Sequence, residues 1–133
     1  MRPNELQKFD SFLPLKVTEF ERARFTPDHE SLGAKRGFYL RGENWEFHCH
    51  CCWRIIRNSK IFVSMEWHCL LPDILKDCTF LKVYHQSSRH PLDISLEIEG
   101  EYTLEIFSCV PGVNWEFKSL EDNVTISSQF EKP

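Results

Sequence analysis

Reactive side chains are densest in the segment WEFHCHCCWRII, residues 45–56. Its twelve positions hold two histidines, three cysteines and two tryptophans. Imidazole and thiolate groups are ligands that Zn²⁺ accepts, and a thiolate beside a base or a cation is a nucleophile. The segment is therefore a candidate metal site, a candidate catalytic site, or a strand with a cysteine-rich buried side.

The zinc alternative starts from His48 and His50, which are two residues apart and would lie on the same side of a strand. A protein zinc site takes four ligands, or three ligands and a water molecule. The other ligands would have to come from histidines and cysteines elsewhere: His68, Cys69, Cys78, His85 and His90. The sequence lacks the pair of Cys-x-x-Cys motifs typical of structural zinc sites. We therefore expect no cofactor and keep zinc at His48 and His50 as an alternative.

The candidate for nucleophilic catalysis is Cys52, because His50 and Arg54 flank it on the same predicted side of the strand. Such a thiol needs a neighbouring base or cation to form the thiolate. The sequence has no glycine-rich phosphate loop, no serine elbow and no His-Glu-x-x-His motif. We therefore expect the protein not to be an enzyme.

The alternation within the same segment favours a strand. Its large or apolar side chains fall on the odd positions, which are Trp45, Phe47, Cys49, Cys51, Trp53 and Ile55. Alternation with a period of two places one set of side chains on the buried side of a sheet. The pattern predicts one continuous strand, in which reduced cysteines act as small apolar residues rather than as disulfide partners.

The second half of the chain resembles the first. The segments 41–51 and 99–109 both read as a Gly-Glu turn followed by a long strand. A shift of 62 residues relates Trp53 to Trp115, and each tryptophan opens a strand that leads into a polar turn. We interpret the two tryptophans as equivalent anchors of one core.

Composition and length complete the prediction of the fold. Hydrophobic residues make up 41% and aromatic residues 14% of the sequence, which is typical of a folded globule. We expect a single domain over 1–133, with pseudo-repeat halves at about 15–66 and 79–130 and a linker over 67–78. The predicted fold class is mostly β: two related antiparallel β-meanders packed as a sandwich or partly open barrel, with one short N-terminal helix.

Two stretches resemble a known family: residues 21–24, ERAR, and residues 45–55. They are similar to uncharacterised small bacterial proteins whose central strand ends in cysteine, proline, tryptophan and arginine, although Cys52 stands where that family has proline. The strand pair over 94–107 and Trp115 resemble the last third of the family. Members look like companions of bacterial toxin systems, so the resemblance implies an immunity protein that binds and neutralises a cognate toxin.

Charge and hydropathy narrow the expected partners. The 16 Lys and Arg residues stand against 20 Asp and Glu residues, and no basic run predicts contact with nucleic acid. The sequence has neither a signal-like leader nor an apolar stretch of membrane-spanning length, so we expect a cytoplasmic monomer or homodimer without membrane contact.

Acidic residues of the second half are the expected binding surface for a basic partner, such as a nuclease toxin. They are Glu97, Glu99, Glu101, Glu105, Glu116, Glu121 and Asp122. The polar segment 26–37 is a further candidate binding loop. The alternative function is a small-ligand or nucleotide-binding protein, such as an anti-defence sponge with a pocket between the halves.

Overall fold

The computed structural model describes residues 3–22, 37–50, 52–64, 71–87, 93–108 and 113–129. The elements before residue 65 are α1 (Pro3–Asp10), β1 (Leu15–Lys16), β2 (Glu19–Arg22), β3 (Phe38–Gly42), β4 (Trp45–Cys49), β5 (Cys52–Arg57) and β6 (Lys60–Ser64). Those after residue 70 are α2 (Leu71–Leu75), β7 (Thr79–His85), β8 (Ile94–Ile98), β9 (Tyr102–Phe107), β10 (Val113–Ser119) and β11 (Val124–Gln129).

The strands form two antiparallel sheets around one core. The six-stranded sheet has the order β1-β7-β8-β9-β5-β6, and the five-stranded sheet has the order β11-β10-β4-β3-β2. The predicted fold class is confirmed as a mostly β sandwich with one short N-terminal helix. Neither helix in the described part of the chain has the length and apolar character that a bilayer crossing requires.

The prediction of one continuous strand over 45–56 is wrong. The segment supplies β4 to the five-stranded sheet and β5 to the six-stranded sheet, with His50 at the crossover. The His50 backbone N–H donates a 2.8 Å hydrogen bond to the Asn114 carbonyl at this point. The odd-numbered side of both strands is nevertheless buried as predicted, because both sheets face the same core.

The two halves of the chain interlock. Strands β2 to β6 and strands β7 to β11 follow the same plan: the first three strands of each set join one sheet and the last two form a hairpin in the other. The pairings of β4 with β10 and of β5 with β9 join strands from different halves. Trp53 and Trp115 begin the buried sides of equivalent strands, β5 and β10.

The turns that looked alike in the sequence differ in structure. Gly42 lies in β3 opposite Trp45, where an added Cβ would collide with the Trp45 indole and the Lys16 carbonyl oxygen. Gly100 lies instead in the loop between β8 and β9, at a φ of 97° that favours glycine. The loop between β3 and β4 is one residue shorter than the loop between β8 and β9, because Gly42 pairs with Trp45 whereas Ile98 pairs with Tyr102.

Helix α1 closes the core with an aromatic cluster. The Phe9 ring stacks on Phe117 at a centroid distance of 4.4 Å and lies 5.9 Å from the Trp115 ring. At the end of the helix, Asp10 Oδ1 accepts a 2.9 Å hydrogen bond from the Val83 backbone N–H of β7. The helix therefore contributes apolar surface to the core and also satisfies a backbone donor of the six-stranded sheet.

Candidate binding face

The structure does not bring the seven predicted acidic residues into one surface. Glu97 and Glu105 point outward from the six-stranded sheet, whereas Glu116 points outward from the five-stranded sheet. Four others lie in turns: Glu99 and Glu101 between β8 and β9, and Glu121 and Asp122 between β10 and β11. The separation arises because consecutive strands β9 and β10 belong to different sheets, whose outer sides face in opposite directions.

Two of these carboxylates already have cationic partners within the chain. Glu105 Oε1 accepts a 2.5 Å hydrogen bond from Arg54 Nε, and the Arg54 guanidinium also lies over the Phe107 ring at 4.9 Å. Glu116 Oε1 lies 3.1 Å from Lys118 Nζ. The Arg54 guanidinium therefore contacts both Glu105 and Phe107.

The outer side of the five-stranded sheet carries a set of charged and aromatic side chains, which we call the five-stranded face. It consists of Glu19, Glu21, Tyr39, Arg41, Glu46, His48, Glu116 and Lys118. Register places these residues in two cross-strand rows, Glu19-Arg41-Glu46-Lys118 and Glu21-Tyr39-His48-Glu116. Four carboxylates against two permanent cations give the face a negative balance when His48 is neutral.

An ion network surrounds Arg41. Its Nη1 atom lies 3.7 Å from Glu19 Oε2 and 4.0 Å from Glu21 Oε2, and its Nε atom lies 3.4 Å from Glu46 Oε1. These separations are longer than the 2.7–2.9 Å typical of charge-assisted hydrogen bonds. One guanidinium thus contacts three carboxylates, at little gain in stability because the groups are partly exposed.

His48 packs at the centre of the face. Its ring lies 4.6 Å from the Tyr39 ring, which also contacts the His50 ring at 5.5 Å. His48 Nε2 lies 3.4 Å from Glu46 Oε2 without forming a hydrogen bond. Burial lowers the pKa of His48 below its ordinary 6.5, and the nearby Glu46 carboxylate only partly opposes this shift. At neutral pH we therefore treat His48 as an uncharged ring held between aromatic and carboxylate neighbours.

The described residues contain no group of three or more His, Cys, Asp or Glu side chains arranged to hold a metal ion. His48 and His50 contact Tyr39 instead, and Cys49 points into the core. Burial raises the pKa of the Cys78 thiol to about 12. Three other candidate ligands, His68, Cys69 and His90, lie outside the described residues, as does Cys51.

A cavity of about 470 Å³ borders the five-stranded face. Its lining consists of Thr18, Glu19, Phe20, Glu21, Tyr39, Arg41 and Lys76. The lining combines two carboxylates, Glu19 and Glu21, with two cations, Arg41 and Lys76, and Arg41 contacts both carboxylates. The charge of the cavity therefore favours neither a cationic group nor a nucleotide phosphate.

Sequence reasoning found His48 and Glu116 but missed most of the five-stranded face. Tyr39 and Arg41 stand on alternate positions of β3, so their outward direction was readable from the sequence. Their place beside His48 and Glu46 depends on the register between β3 and β4, which the local pattern does not give. Residues 26–36 of the candidate binding loop lie outside the described part of the chain.

Comparisons with protein-family models, with curated proteins and with solved structures found no match.

Proposed function

We propose that this protein is a non-catalytic binding protein that uses the five-stranded face to hold a basic protein partner. The observation that carries the proposal is a sheet surface with an aromatic centre and excess carboxylates, already ordered by cross-strand contacts. Tyrosine and arginine dominate binding energy at protein interfaces, and side chains ordered in advance lose little entropy on binding. A negative face also speeds encounter with a positively charged partner.

The partner that fits is a cognate bacterial toxin, and the protein is its cytoplasmic immunity protein. The resemblance in the 45–55 segment supports this identity, and the charge of the face supports a toxin with a basic substrate groove, such as a nuclease. Neutralisation then requires no chemistry, because a protein seated on the groove excludes the substrate.

The test is co-purification with the product of the adjacent reading frame, followed by measurement of Kd for single variants. Tyr39→Ala should raise Kd about thirtyfold or more if Tyr39 is a central anchor. Glu116→Lys should slow association and weaken the salt dependence of the rate.

The matched control for Glu116→Lys is Glu97→Lys, which makes the same charge change on the outer side of the other sheet. It should leave Kd nearly unchanged. Absence of a complex, or equal effects of the two lysine variants, would contradict binding through the five-stranded face.

A further inference from the structure

Strand β5 carries two arginines that lie over aromatic rings, and the first of them also has a carboxylate partner. The Cζ atom of Arg54 lies 4.9 Å from the centroid of the Phe107 ring. Its Nε atom donates a hydrogen bond to Glu105 Oε1 on the neighbouring strand β9. The ring and the carboxylate use different parts of one guanidinium, because the π surface attracts its charge and the carboxylate accepts from its N–H groups.

Arg57, the second of these arginines, has the rings but not the carboxylate. Its Cζ atom lies 5.0 Å from the Tyr102 ring centroid and 5.9 Å from the Phe62 ring centroid. The two rings also contact each other, at a centroid distance of 5.7 Å. Among the residues that the structure describes, no carboxylate forms an ion pair with Arg57. We call Arg57, Phe62 and Tyr102 the Arg57 cluster.

A second cation stands next to the Arg57 cluster. Lys60 of β6 is the direct partner of Arg57 in the register of the β5–β6 hairpin. Like charges at directly opposite positions of two strands are destabilising. Lys60, too, has no ion pair within the described part of the chain. An anion bound beside these two cations would therefore relieve their repulsion.

The Arg57 cluster is accessible to a partner. Phe62 is 42% exposed, and Arg57 and Lys60 are exposed as well. A guanidinium that already lies over two rings is ordered in advance, so it loses less conformational entropy when an anion binds. Arginine and aromatic residues also contribute much of the binding energy at protein interfaces.

The charge of the surroundings decides which anion fits. Glu99 and Glu101 lie in the β8–β9 turn, directly before Tyr102, and the whole chain has a net charge of -4. These carboxylates would repel the closely spaced phosphates of a nucleic acid. A single carboxylate next to an apolar side chain meets less repulsion, and the exposed Phe62 ring offers that side chain a contact surface.

We propose that the Arg57 cluster is a second interaction surface, which binds an Asp or Glu side chain with an apolar neighbour from a protein partner. The partner's carboxylate takes at Arg57 the role that Glu105 has at Arg54. All three residues of the cluster belong to the six-stranded sheet. The inference therefore goes beyond the proposed function and does not depend on a basic partner at the five-stranded face.

The test uses an N-acetylated, C-amidated peptide with a central glutamate between two leucines and a glycine at each end, titrated into the full chain. The NMR signal of the Arg57 side-chain Nε–H group should shift, whereas that of Arg54 should not, because Glu105 already accepts from it. The same peptide with glutamine in place of glutamate should not bind. Tighter binding of a thymidine oligonucleotide than of the glutamate peptide would overturn the assignment to a protein carboxylate.

Arg57→Lys keeps the charge but lacks the planar set of N–H donors, so it should raise the Kd of the glutamate peptide about tenfold. The matched control is Arg54→Lys, the same substitution in the same strand, which should leave this Kd unchanged. Circular dichroism checks that both variants are folded. No shift at Arg57, or equal losses of affinity in the two lysine variants, would overturn the proposed surface.

Discussion

The two sheets share a strand plan but differ at the centres of their outer sides. In the six-stranded sheet, Arg54 of β5 stands opposite Glu105 of β9 and forms a short ion pair. At the equivalent position of the five-stranded sheet, Glu116 of β10 stands opposite His48 of β4. The acid and the base have exchanged strands, and the permanent cation has become an imidazole that is neutral at physiological pH.

The inner sides differ much less. Trp53 and Trp115 are both buried, and the next inward residues, Ile55 and Phe117, are buried too. The two halves therefore keep an apolar inner pattern that holds the sandwich together and diverge where side chains meet solvent. The outer sides differ in the arrangement of their charges: a single short ion pair links Arg54 and Glu105, whereas Arg41 contacts three carboxylates and Lys118 a fourth on the five-stranded face.

The largest expected change in the free energy of unfolding comes from removing either of the two tryptophan anchors. Trp115→Ala should lower the free energy of unfolding by about 3–5 kcal/mol, and Trp53→Ala should lower it by less. The reason is that Trp115 packs on the rings of Phe9 and Phe47, whereas Trp53 meets the Phe38 ring edge-on. Urea unfolding followed by circular dichroism gives both values. A greater loss of unfolding free energy for Trp53→Ala would contradict the interpretation that Trp115 is the more tightly packed anchor.

A smaller effect separates the two outer pairs. A double-mutant cycle on Arg54 and Glu105 should give a coupling energy of about 0.5–1 kcal/mol, in keeping with partly exposed ion pairs. The same cycle on His48 and Glu116 near pH 8 should give almost none, because a neutral imidazole has no charge to pair. Comparable coupling in both cycles would remove the proposed difference between the faces.

Turn chemistry gives a further comparison between the sheets. Asn58 and Ser59 have φ values of 53° and 62°, so the β5–β6 hairpin turns through two left-handed residues. Ser59→Gly should stabilise the protein by about 0.5 kcal/mol, since glycine adopts this region without strain. Asn44→Gly, in the loop between β3 and β4 of the five-stranded sheet, should stabilise the protein by less. The reason is that asparagine tolerates a positive φ, here 65°, better than serine does. Thermal unfolding of both variants checks the order.

The smallest expected effect is the pH dependence that His48 contributes. Its pKa is lower in the folded chain than the ordinary 6.5, so below pH 6.5 the unfolded chain binds more protons at this group. His48 therefore costs stability as the pH falls through 6.5 toward its folded pKa, and has no such effect at higher pH. In His48→Gln the free energy of unfolding should fall less steeply over this window. Arg54→Gln, the control on the other face, should keep the steeper slope.

Local patterns in the sequence predicted much of this fold. Period-two alternation identified the buried sides of β4, β5, β8 and β9, because each strand buries one side whichever sheet it joins. The same alternation hid the crossover at His50, since Cys49 and Trp53 are buried in one core from two different sheets. The prediction of a single acidic surface was wrong because local patterns do not show which sheet a strand joins. Assigning Glu105 and Glu116 to opposite sides requires the non-local pairings of β9 with β5 and of β10 with β4.

The interlocking of the halves has a consequence for biosynthesis. During synthesis, β3 to β6 emerge from the ribosome before β7 to β11. Strands β4 and β5 can therefore pair with β10 and β9 only after those later strands have emerged. Until then Phe47 and Ile55 have no opposite sheet of full width to exclude water. The first half of the chain therefore cannot complete its packing alone, and a product truncated before β10 leaves β4 without one of its two neighbours in the five-stranded sheet.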